Sequence, residues 1–469
     1  MTVEYLGVSM KNNTQSIQKT ISKFVKKNPR AMALYILNEF HRCDILLDNL
    51  MRHEFDQISA YDQRDRALIH SLVYGVIRWR SNLDNIIQQI SHISISKISL
   101  PILNTVRMGV FQMNFMDRIP EHAAVNSSVE LVHIFAPNYL ARFVNGILRE
   151  AARSKETIKW PDQSTQITQF LSLKYAYPKW MVQRWIEYWG IKIAKDLCDS
   201  ENIVPPIIIR TNTLKIERSP LIKKLSSSAQ IIEKTLHAPD GIRLSNLQLA
   251  IGNSELFQKG FYQVQDEASQ LIGLLVSPQP GETILDACAG RGGKTGHLAQ
   301  CMNNRGTILA VDRSNDKLGI LTDEMKRLGV SIVSCCQHRW KKDLKGRLFD
   351  RVLLDAPCSG LGVIRRHPDM KWKKSKEHIL QNAIIQKELL KIISMHVKPK
   401  GKLIYCVCSL EPEETYQVVK NFLSQNKNFV IDKESKSILS SFIDKDGLYY
   451  FRPDLHLMDG FFAVCLIRL

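Results

Sequence analysis

The feature that most constrains this chain is the alternation of short apolar segments and longer amphipathic segments after residue 263. Apolar runs of this length are typical of buried strands, and the amphipathic segments are long enough for helices. Such alternation predicts an α/β fold with a doubly wound, largely parallel sheet, whose ligands bind at the carboxyl ends of the strands. The predicted strands are Thr283–Asp286, Thr307–Asp312, Ser331–Cys336, Arg351–Asp355 and Lys402–Cys408, and the predicted helices are Gly293–Met302, Asn315–Leu328 and His378–Val397.

The first third of the chain has a different pattern. Apolar residues recur at helical spacing between residues 17 and 153, and Pro29 and Pro120 stand where helices begin. We therefore predict a flexible tail at 1–16 and an all-α helical domain at 17–153. A polar linker and a small α+β subdomain are expected at 154–262, with a strand edge carrying Arg210 and Asn212. Residues 263–469 form the predicted α/β domain.

A glycine-rich loop connects the first predicted strand of the α/β domain to its helix. It fits neither of the two common phosphate-binding motifs: a P-loop needs glycine at position 288, where Cys288 stands, and a dinucleotide loop needs glycine at Thr295. Its glycines nevertheless let the backbone approach a ligand closely. The predicted cofactor residues of this loop are Cys288, Ala289, Gly290, Arg291, Gly292, Gly293 and Lys294.

Asp312 ends the next predicted strand, about twenty residues further on. A carboxylate at this position of an α/β sheet can accept hydrogen bonds from both hydroxyls of a ribose. Because the loop fits neither phosphate-binding motif, S-adenosylmethionine, which has a ribose but no phosphates, suits it better than ATP or NAD. The loop and Asp312 together therefore predict an S-adenosylmethionine site.

Two cysteines follow predicted strands of the same sheet. Cys358 lies in an Asp-Ala-Pro-Cys-Ser-Gly segment, and Cys408 follows Val407. A thiolate is the best side-chain nucleophile near neutral pH, and C5 of cytosine becomes reactive only after a nucleophile adds to C6. We therefore predict that Cys358 and Cys408 are catalytic. The ten cysteines include no C-x-x-C pair, so no metal site is expected, and they are too sparse in a chain of this length for a disulfide framework.

The formal net charge is +18, which favours a polyanionic partner, nucleic acid before a membrane surface. Between Arg339 and Lys376 there are twelve Lys and Arg against four Asp, with Trp340 and Trp372 interleaved. Aromatic planes among cations predict contact with unstacked RNA bases, and a solvated basic surface is the alternative. No apolar run is long enough to span a bilayer and no secretory signal is evident, so a cytoplasmic protein is expected.

These motifs resemble the Sun/NOP2 family of RNA cytosine-5 methyltransferases, and the similarity covers nearly the whole chain beyond residue 25. Asp65-Arg-Ala67 and Val73–Trp79 are similar to the NusB-like domain that precedes the catalytic part in some members. Further segments resemble the family at Arg210–Lys215, Gln265–Ser269, Ile364–Asp369 and Asp459–Phe462.

The resemblance implies a role for each candidate residue. Cys408 is similar to the nucleophile that adds to C6, and Cys358 to the thiol that assists release. Asp355 resembles a carboxylate near the cofactor methyl group and the cytosine edge. The family further implies a 16S ribosomal RNA substrate, Rossmann-like methyltransferase architecture and S-adenosylmethionine as cofactor, and we expect a monomer.

The chain departs from the family pattern at three places. Arg291 stands where the family usually has proline, Val407 where it has threonine, and Gln337-His338 where an adenine-side carboxylate is expected.

Two alternative functions remain open. A DNA cytosine-5 methyltransferase uses a Pro-Cys nucleophile, which Pro357-Cys358 matches, but its downstream Glu-Asn-Val is absent. A non-catalytic RNA-binding assembly factor is the alternative from another class.

Overall fold

The computed structural model describes residues 22–25, 28–57, 61–226, 228–247, 251–337, 344, 346–434 and 439–469. The predicted tail at 1–16 lies outside these ranges, as do Trp340 and His338. The chain divides into two compact units. One comprises the residues up to Asn202 together with His367–Trp372, and the other comprises Ile203–Arg366 together with Lys373–Leu469.

The first unit is all-α, as the sequence predicts for residues up to 153, but its last two helices lie in the region predicted as linker and α+β subdomain. Pro29 begins its first described helix, and the Asn28 side chain caps that helix by accepting hydrogen bonds from two backbone N–H groups. The helix Leu100–Phe115 is buried along most of its length, so the other helices pack around it. The helices are α1 Pro29–Arg42, α2 Leu47–Gln57, α3 Gln63–Arg78, α4 Arg80–Ile90, α5 Leu100–Phe115, α6 Glu121–Phe135, α7 Asn138–Arg153, α8 Ile167–Lys174 and α9 Lys179–Ser200.

The segment His367–Trp372 belongs to the helical unit although it lies far along the sequence. Lys371 is fully buried, and its Nζ donates to Arg78 O, Ala176 O and Asn202 Oδ1 at 3.2, 3.1 and 2.7 Å. Burial lowers the pKa of this amino group well below its ordinary value.

Trp372 is also engaged within the helical unit. Its Nε1 donates to Ile77 O at 2.7 Å, and the Arg80 guanidinium lies 5.3 Å from its ring centroid. The prediction of an RNA contact is therefore wrong for Lys371, whereas Trp372 is half-buried and its contact with RNA stays a prediction. Their side chains hold this segment to the helices, where neither a phosphate nor a base can reach the buried amino group.

The second unit contains a small antiparallel sheet of four strands, in the order β2-β3-β1-β4. The strands β1 Ile207–Thr211, β2 Ala229–Lys234, β3 Gly241–Leu247 and β4 Tyr262–Val264 are accompanied by the helices α10 Arg218–Leu225 and α11 Glu255–Gln258. The predicted α+β subdomain is thus confirmed, but the predicted strand edge is wrong. Strand β1 lies between β3 and β4, and both Arg210 and Asn212 are buried.

The same unit contains an eight-stranded sheet, in the order β10-β12-β9-β8-β5-β6-β7, with β11 paired to β12. The five strands from β7 to β9 run parallel, and β12 pairs antiparallel with β9. The strands are β5 Thr283–Asp286, β6 Thr307–Asp312, β7 Val333–Gln337, β8 Phe349–Asp355, β9 Val397–Val407, β10 Phe429–Ile431, β11 Leu448–Phe451 and β12 Phe461–Arg468. The helices are α12 Glu267–Val276, α13 Gly293–Cys301, α14 Asn315–Leu328, α15 Lys376–Ser394, α16 Tyr416–Gln425 and α17 Pro453–His456.

The predicted doubly wound α/β sheet is therefore confirmed, and β5, β6 and α14 have the predicted bounds. The other five predicted elements differ from the observed ones by one to five residues at one or both ends. The helix predicted to end at Val397 ends at Ser394, because Val397 pairs with Phe349 and begins strand β9. Among the described residues, no helix has the length and apolarity that crossing a bilayer requires. No group of three or more potential metal ligands occurs in the described part either.

Candidate active site

A cavity of about 710 Å³ lies at the carboxyl ends of β5, β6 and β8. Strand β5 is the point where the strand order changes direction, since β6 lies on one side and β8 on the other. Crevices at such points are the usual ligand sites of doubly wound sheets. Its lining is contributed by the loops after these strands and by one face of α15: Cys288, Gly290, Asp312, Arg313, Ser314, Lys317, Asp355, Pro357, Ile385, Glu388, Leu389 and Ile392.

Asp312 fixes the glycine-rich loop to the end of β6. Its Oδ2 accepts from Gly290 N and its Oδ1 from Ser314 N, both at 2.9 Å. An ionised carboxylate has about four acceptor positions, so each oxygen keeps capacity for a further donor in the cavity. Gly292 has φ +85°, and a Cβ there would approach Leu321 Cγ to 2.7 Å, so the turn requires glycine.

The predicted cofactor residues fall into three groups. Cys288, Gly290, Asp312 and Asp355 line the cavity, as a cofactor role requires. Ala289 and Gly292 are buried, and Gly293 begins α13. Arg291 is exposed and is absent from the cavity lining, so the departure from the family pattern at this position leaves the cavity wall unchanged.

Lys294 points its amino group at Asp355, with Nζ 2.7 Å from Oδ2. Burial alone would lower the pKa of Lys294, but the Asp355 carboxylate outweighs it and the net pKa is raised. The Cys406 thiol donates to the other Asp355 oxygen at 3.4 Å. This arrangement holds a cation and a carboxylate together beside the cavity.

The two candidate cysteines are brought together by the pairing of β8 with β9. Asp355 is the register partner of Cys406, so the segments that follow these strands leave the sheet side by side. The Sγ atoms of Cys358 and Cys408 lie 3.2 Å apart, and both side chains are half-buried. The hydrogen bond with Cys408, together with burial, holds the pKa of the Cys358 thiol well above its ordinary value.

A close backbone crossing supports the Cys358 segment. Gly362 N donates to Cys408 O at 3.0 Å, and Gly460 N donates to Gly362 O at 2.6 Å. A Cβ on Gly362 would lie 2.0 Å from Gly460 O, so no side chain fits there. The terminal Asp-Gly-Phe motif therefore has a local structural role beside the cysteines.

The sequence analysis placed Arg210 on a strand edge and missed its role in this geometry. Arg210 is fully buried in the second unit and donates to Gly293 O at 3.0 Å, to Gln263 at 2.8 Å and to Gln300 at 3.1 Å. It thus anchors the start of α13 from the small sheet. The Arg-Thr-Asn pattern was visible in the sequence, but nothing in it distinguishes a buried arginine from an exposed one.

The basic segment 339–376 is only partly available to a polyanion. Arg351 pairs with Glu282 at 2.6 Å, Arg365 with Asp459 at 3.0 Å, and Arg366 with both Asp459 and Asp266 at 2.7 and 2.6 Å. These three arginines are therefore engaged in ion pairs within the fold. Lys373 and Lys374 are half-buried, and Lys376 is exposed.

A central parallel sheet with an antiparallel β12, a cavity beyond β5 and β6 and a strand-end carboxylate together define a Rossmann-like methyltransferase. Models of three families match this chain: 16S rRNA methyltransferase RsmB/F over residues 273–467, the NusB family over 27–153, and the ferredoxin-like domain of RsmF/B-like methyltransferases over 177–248. The chain belongs to the RsmB/F family of small-subunit ribosomal RNA methyltransferases.

Individual relatives agree with this assignment. The probable ribosomal RNA small subunit methyltransferase B of Bacillus subtilis is 30% identical, over 90% of this chain and 94% of that protein. The corresponding Synechocystis protein is 32% identical, over 93% and 98%. Among solved structures, PH0851 has a TM-score of 0.74 at 25% identity, covering 96% of this chain and 98% of that one. A methyltransferase homologue from Pyrococcus horikoshii has a TM-score of 0.57 at 28% identity, covering 65% and 100%.

Proposed function

We propose that this chain methylates C5 of a cytosine in 16S ribosomal RNA through a covalent bond between Cys408 and C6 of the base. The observation that carries the proposal is the 3.2 Å separation of the Cys358 and Cys408 Sγ atoms, near the paired Lys294 and Asp355. Two thiols at this distance can reach one pyrimidine ring. A methyltransferase acting on a nitrogen or a ribose hydroxyl has no chemical need for them.

We assign the cavity to S-adenosylmethionine. The site residues fit it, because Asp312 keeps acceptor capacity for a ribose diol and the open space at Gly290 admits close approach of a ligand. When bound, this cofactor supplies an electrophilic methyl group. Of the predicted cofactor residues, those that line the cavity and that we expect to hold the cofactor are Cys288, Gly290, Asp312 and Asp355.

The two cysteines then have different tasks. The Cys408 thiolate forms a bond to C6, and the C5–C6 π electrons become available at C5 for the bond to the methyl group. Loss of the C5 proton to a base restores the double bond while the bond between Cys408 and C6 breaks. Because the two Sγ atoms lie 3.2 Å apart, the Cys358 thiol is placed to donate a proton to the departing Cys408 sulfur. Lys294 and Asp355 present a donor and an acceptor for the polar edge of the base.

The substrate follows from the family and agrees with the charge. A ribosomal RNA is a polyanion, and the chain carries a formal net charge of +18. A DNA cytosine-5 methyltransferase would make Cys358 the nucleophile, because that residue follows proline. That class also needs a downstream Glu-Asn-Val segment, which this chain lacks.

The proposal is tested with a 16S rRNA transcript carrying tritium at C5 of cytidine. We expect tritium release in step with methyl incorporation, because the C5 proton must leave for each methyl group gained. Bisulfite mapping of ribosomal RNA from a strain lacking this protein should show the loss of 5-methylcytosine at one or a few positions. Methyl incorporation without tritium release would place the modification on another atom. A failure to bind S-adenosylmethionine would favour the non-catalytic alternative.

A further inference from the structure

Glu414 is a buried carboxylate that the mechanism above does not use. It lies beyond the end of β9, six positions after Cys408, and its exposed fraction is 0%. Its Oε1 accepts from Ser359 N at 2.7 Å and from Gln386 Nε2 at 3.2 Å. Its Oε2 accepts from the hydroxyls of Ser359 and Ser409 at 2.5 and 2.6 Å. Each oxygen thus accepts two hydrogen bonds, so this carboxylate is held in one orientation.

The partners of Glu414 are the residues that follow the two cysteines. Ser359 is bonded directly to Cys358, and Ser409 directly to Cys408. Gln386 extends the connection by donating from the same Nε2 to Pro357 O, at 2.9 Å, on the other side of Cys358. We call Ser359, Gln386, Ser409 and Glu414 the carboxylate clamp. Within it, one side chain joins two segments that are fifty residues apart in the sequence.

The backbone of Glu414 is fixed as well. Its carbonyl oxygen accepts from the Tyr405 hydroxyl at 2.5 Å, and Tyr405 is a fully buried residue of β9. Burial raises the pKa of the Glu414 carboxyl, and the bonds from Ser359 and Ser409 oppose that rise. The clamp is therefore anchored to β9, the strand that Cys408 follows, and the Glu414 carboxylate reaches across to the Cys358 segment.

We propose that Glu414 is a positioning residue that sets the relative placement of the Cys358 and Cys408 thiols, and so the order of attack and release. This inference rests on the proposed function, since it assumes that both thiols act on one base. Attack and release form and break the same bond, so both require the Cys408 sulfur and C6 of the base to be held in the correct geometry. A misplacement of about 1 Å can cost about 100-fold in rate, so a device that fixes both loops is expected to affect kcat.

The two serines separate the two tasks. Loss of the Ser409 hydroxyl frees the Cys408 segment from the clamp, so formation of the bond to C6 should slow. Loss of the Ser359 hydroxyl leaves Ser359 N still bonded to Glu414 and loosens mainly the Cys358 side. Attack should then proceed and release should lag. A merely structural role for Glu414 gives no reason for this asymmetry.

The experiment compares Glu414→Ala, Glu414→Gln, Ser359→Ala and Ser409→Ala with the wild type on a 16S rRNA transcript. For each protein, kcat for methyl transfer, the fraction of protein in a denaturation-stable adduct with RNA, and the dissociation constant of S-adenosylmethionine are measured. Glu434→Ala is the matched control, because it removes the same charge from an exposed position of the same unit. We expect this control to behave as the wild type.

Glu414→Ala is expected to lower kcat by about 100-fold, with cofactor affinity within about twofold of the wild type. Glu414→Gln should restore most of that loss, because the amide oxygen can accept from Ser359 N while the NH₂ group donates to the two hydroxyls. Ser409→Ala should form adduct slowly, whereas Ser359→Ala should accumulate adduct to several times the wild-type fraction.

Several outcomes would overturn the proposal. These are wild-type kcat and adduct levels in Glu414→Ala, a loss of cofactor affinity equal to the loss of kcat, or a glutamine variant as impaired as the alanine variant. If Glu414→Ala does not fold, Ser359→Ala and Ser409→Ala test the proposal instead. The same adduct level in both variants would contradict the proposed role of the clamp. The failure of the proposed function is recognised separately, because Cys408→Ala would then still methylate the transcript.

Discussion

The Sγ atoms of Cys358 and Cys408 lie 3.2 Å apart, although fifty residues separate them in the sequence. The parallel pairing of β8 and β9 produces this proximity, because it places the carboxyl ends of both strands at the same edge of the sheet. At that distance the thiols share a hydrogen bond, so a proton on one affects the reactivity of the other. The chemical roles of the two residues are consequently coupled and must be tested together.

The first prediction separates those roles. Cys408→Ala should abolish methylation and give no covalent adduct with RNA, because the attacking sulfur is missing. Cys358→Ala should still attack and transfer the methyl group, then stall, because the thiol that assists release is gone. Denaturing gel electrophoresis of reactions with a labelled 16S rRNA transcript measures the adduct. Adduct with Cys408→Ala but not with Cys358→Ala would reverse the assignment.

The second prediction concerns the cofactor site. Asp312→Ala should weaken S-adenosylmethionine binding by on the order of 1.5–3 kcal/mol, because two ribose hydroxyls lose a charged acceptor. Gly290 N and Ser314 N also lose their partner, which loosens the loop. Isothermal titration calorimetry measures the change. Asp316→Ala serves as the control, since that exposed carboxylate lies close by in the first turn of α14. Equal affinities in the two variants would refute the assignment of Asp312.

The third prediction distinguishes buried from accessible cations in the segment 371–374. Replacing Lys373 and Lys374 by glutamine should lower the slope of log affinity for RNA against log salt by up to about 1–2, if both contact phosphates. Lys371→Met should leave the slope unchanged, because Lys371 is fully buried.

Lys371→Met should instead lower the free energy of unfolding by about 2–4 kcal/mol, since three oxygen acceptors in the helical unit lose their donor. Filter binding at several salt concentrations and chemical denaturation measure the two quantities. A flatter salt slope in Lys371→Met would show that this amino group does reach RNA.

The fourth prediction concerns pH. Burial raises the pKa of Asp286 to about 7, and Thr295 Oγ1 donates to its Oδ2 at 2.7 Å. The folded protein therefore holds a proton on Asp286 that the unfolded chain, with an Asp pKa of about 3.9, releases. This contribution to stability is fully present below about pH 4 and is lost as the pH rises through about 7.

The Asp286→Asn variant removes that titration. Between pH 6 and pH 8 the wild type should lose about 1.4 kcal/mol of unfolding free energy more than the variant does, which corresponds to one pKa unit. Denaturant unfolding at both values measures the difference, and all other titrating groups are common to the two proteins. Parallel pH profiles would mean that Asp286 is already ionised at pH 6.

Much of the fold and part of the site were predictable because they depend on local patterns. Strands β5 and β6 and helix α14 have the predicted bounds, since their apolar spacing and capping residues are visible in the sequence. The ends of parallel strands share one edge of the sheet, so the sequence alone predicts that Asp312, Asp355, Cys358 and Cys408 lie near one another. Family resemblance then supplied the roles that spacing alone leaves open.

The sequence by itself thus determined the alternation that builds the sheet, the loop glycines and the chemistry of the strand ends. Only the tertiary structure decided which polar side chains are internal. Arg210, Lys371 and Glu414 look like surface residues in the sequence, yet each is buried and bonded to partners from distant segments. The physical reason is that burying a charged group is costly unless several donors or acceptors converge on it. That convergence is a property of the folded chain, because residues such as Ser359 and Ser409 meet at one carboxylate only after β8 and β9 have paired.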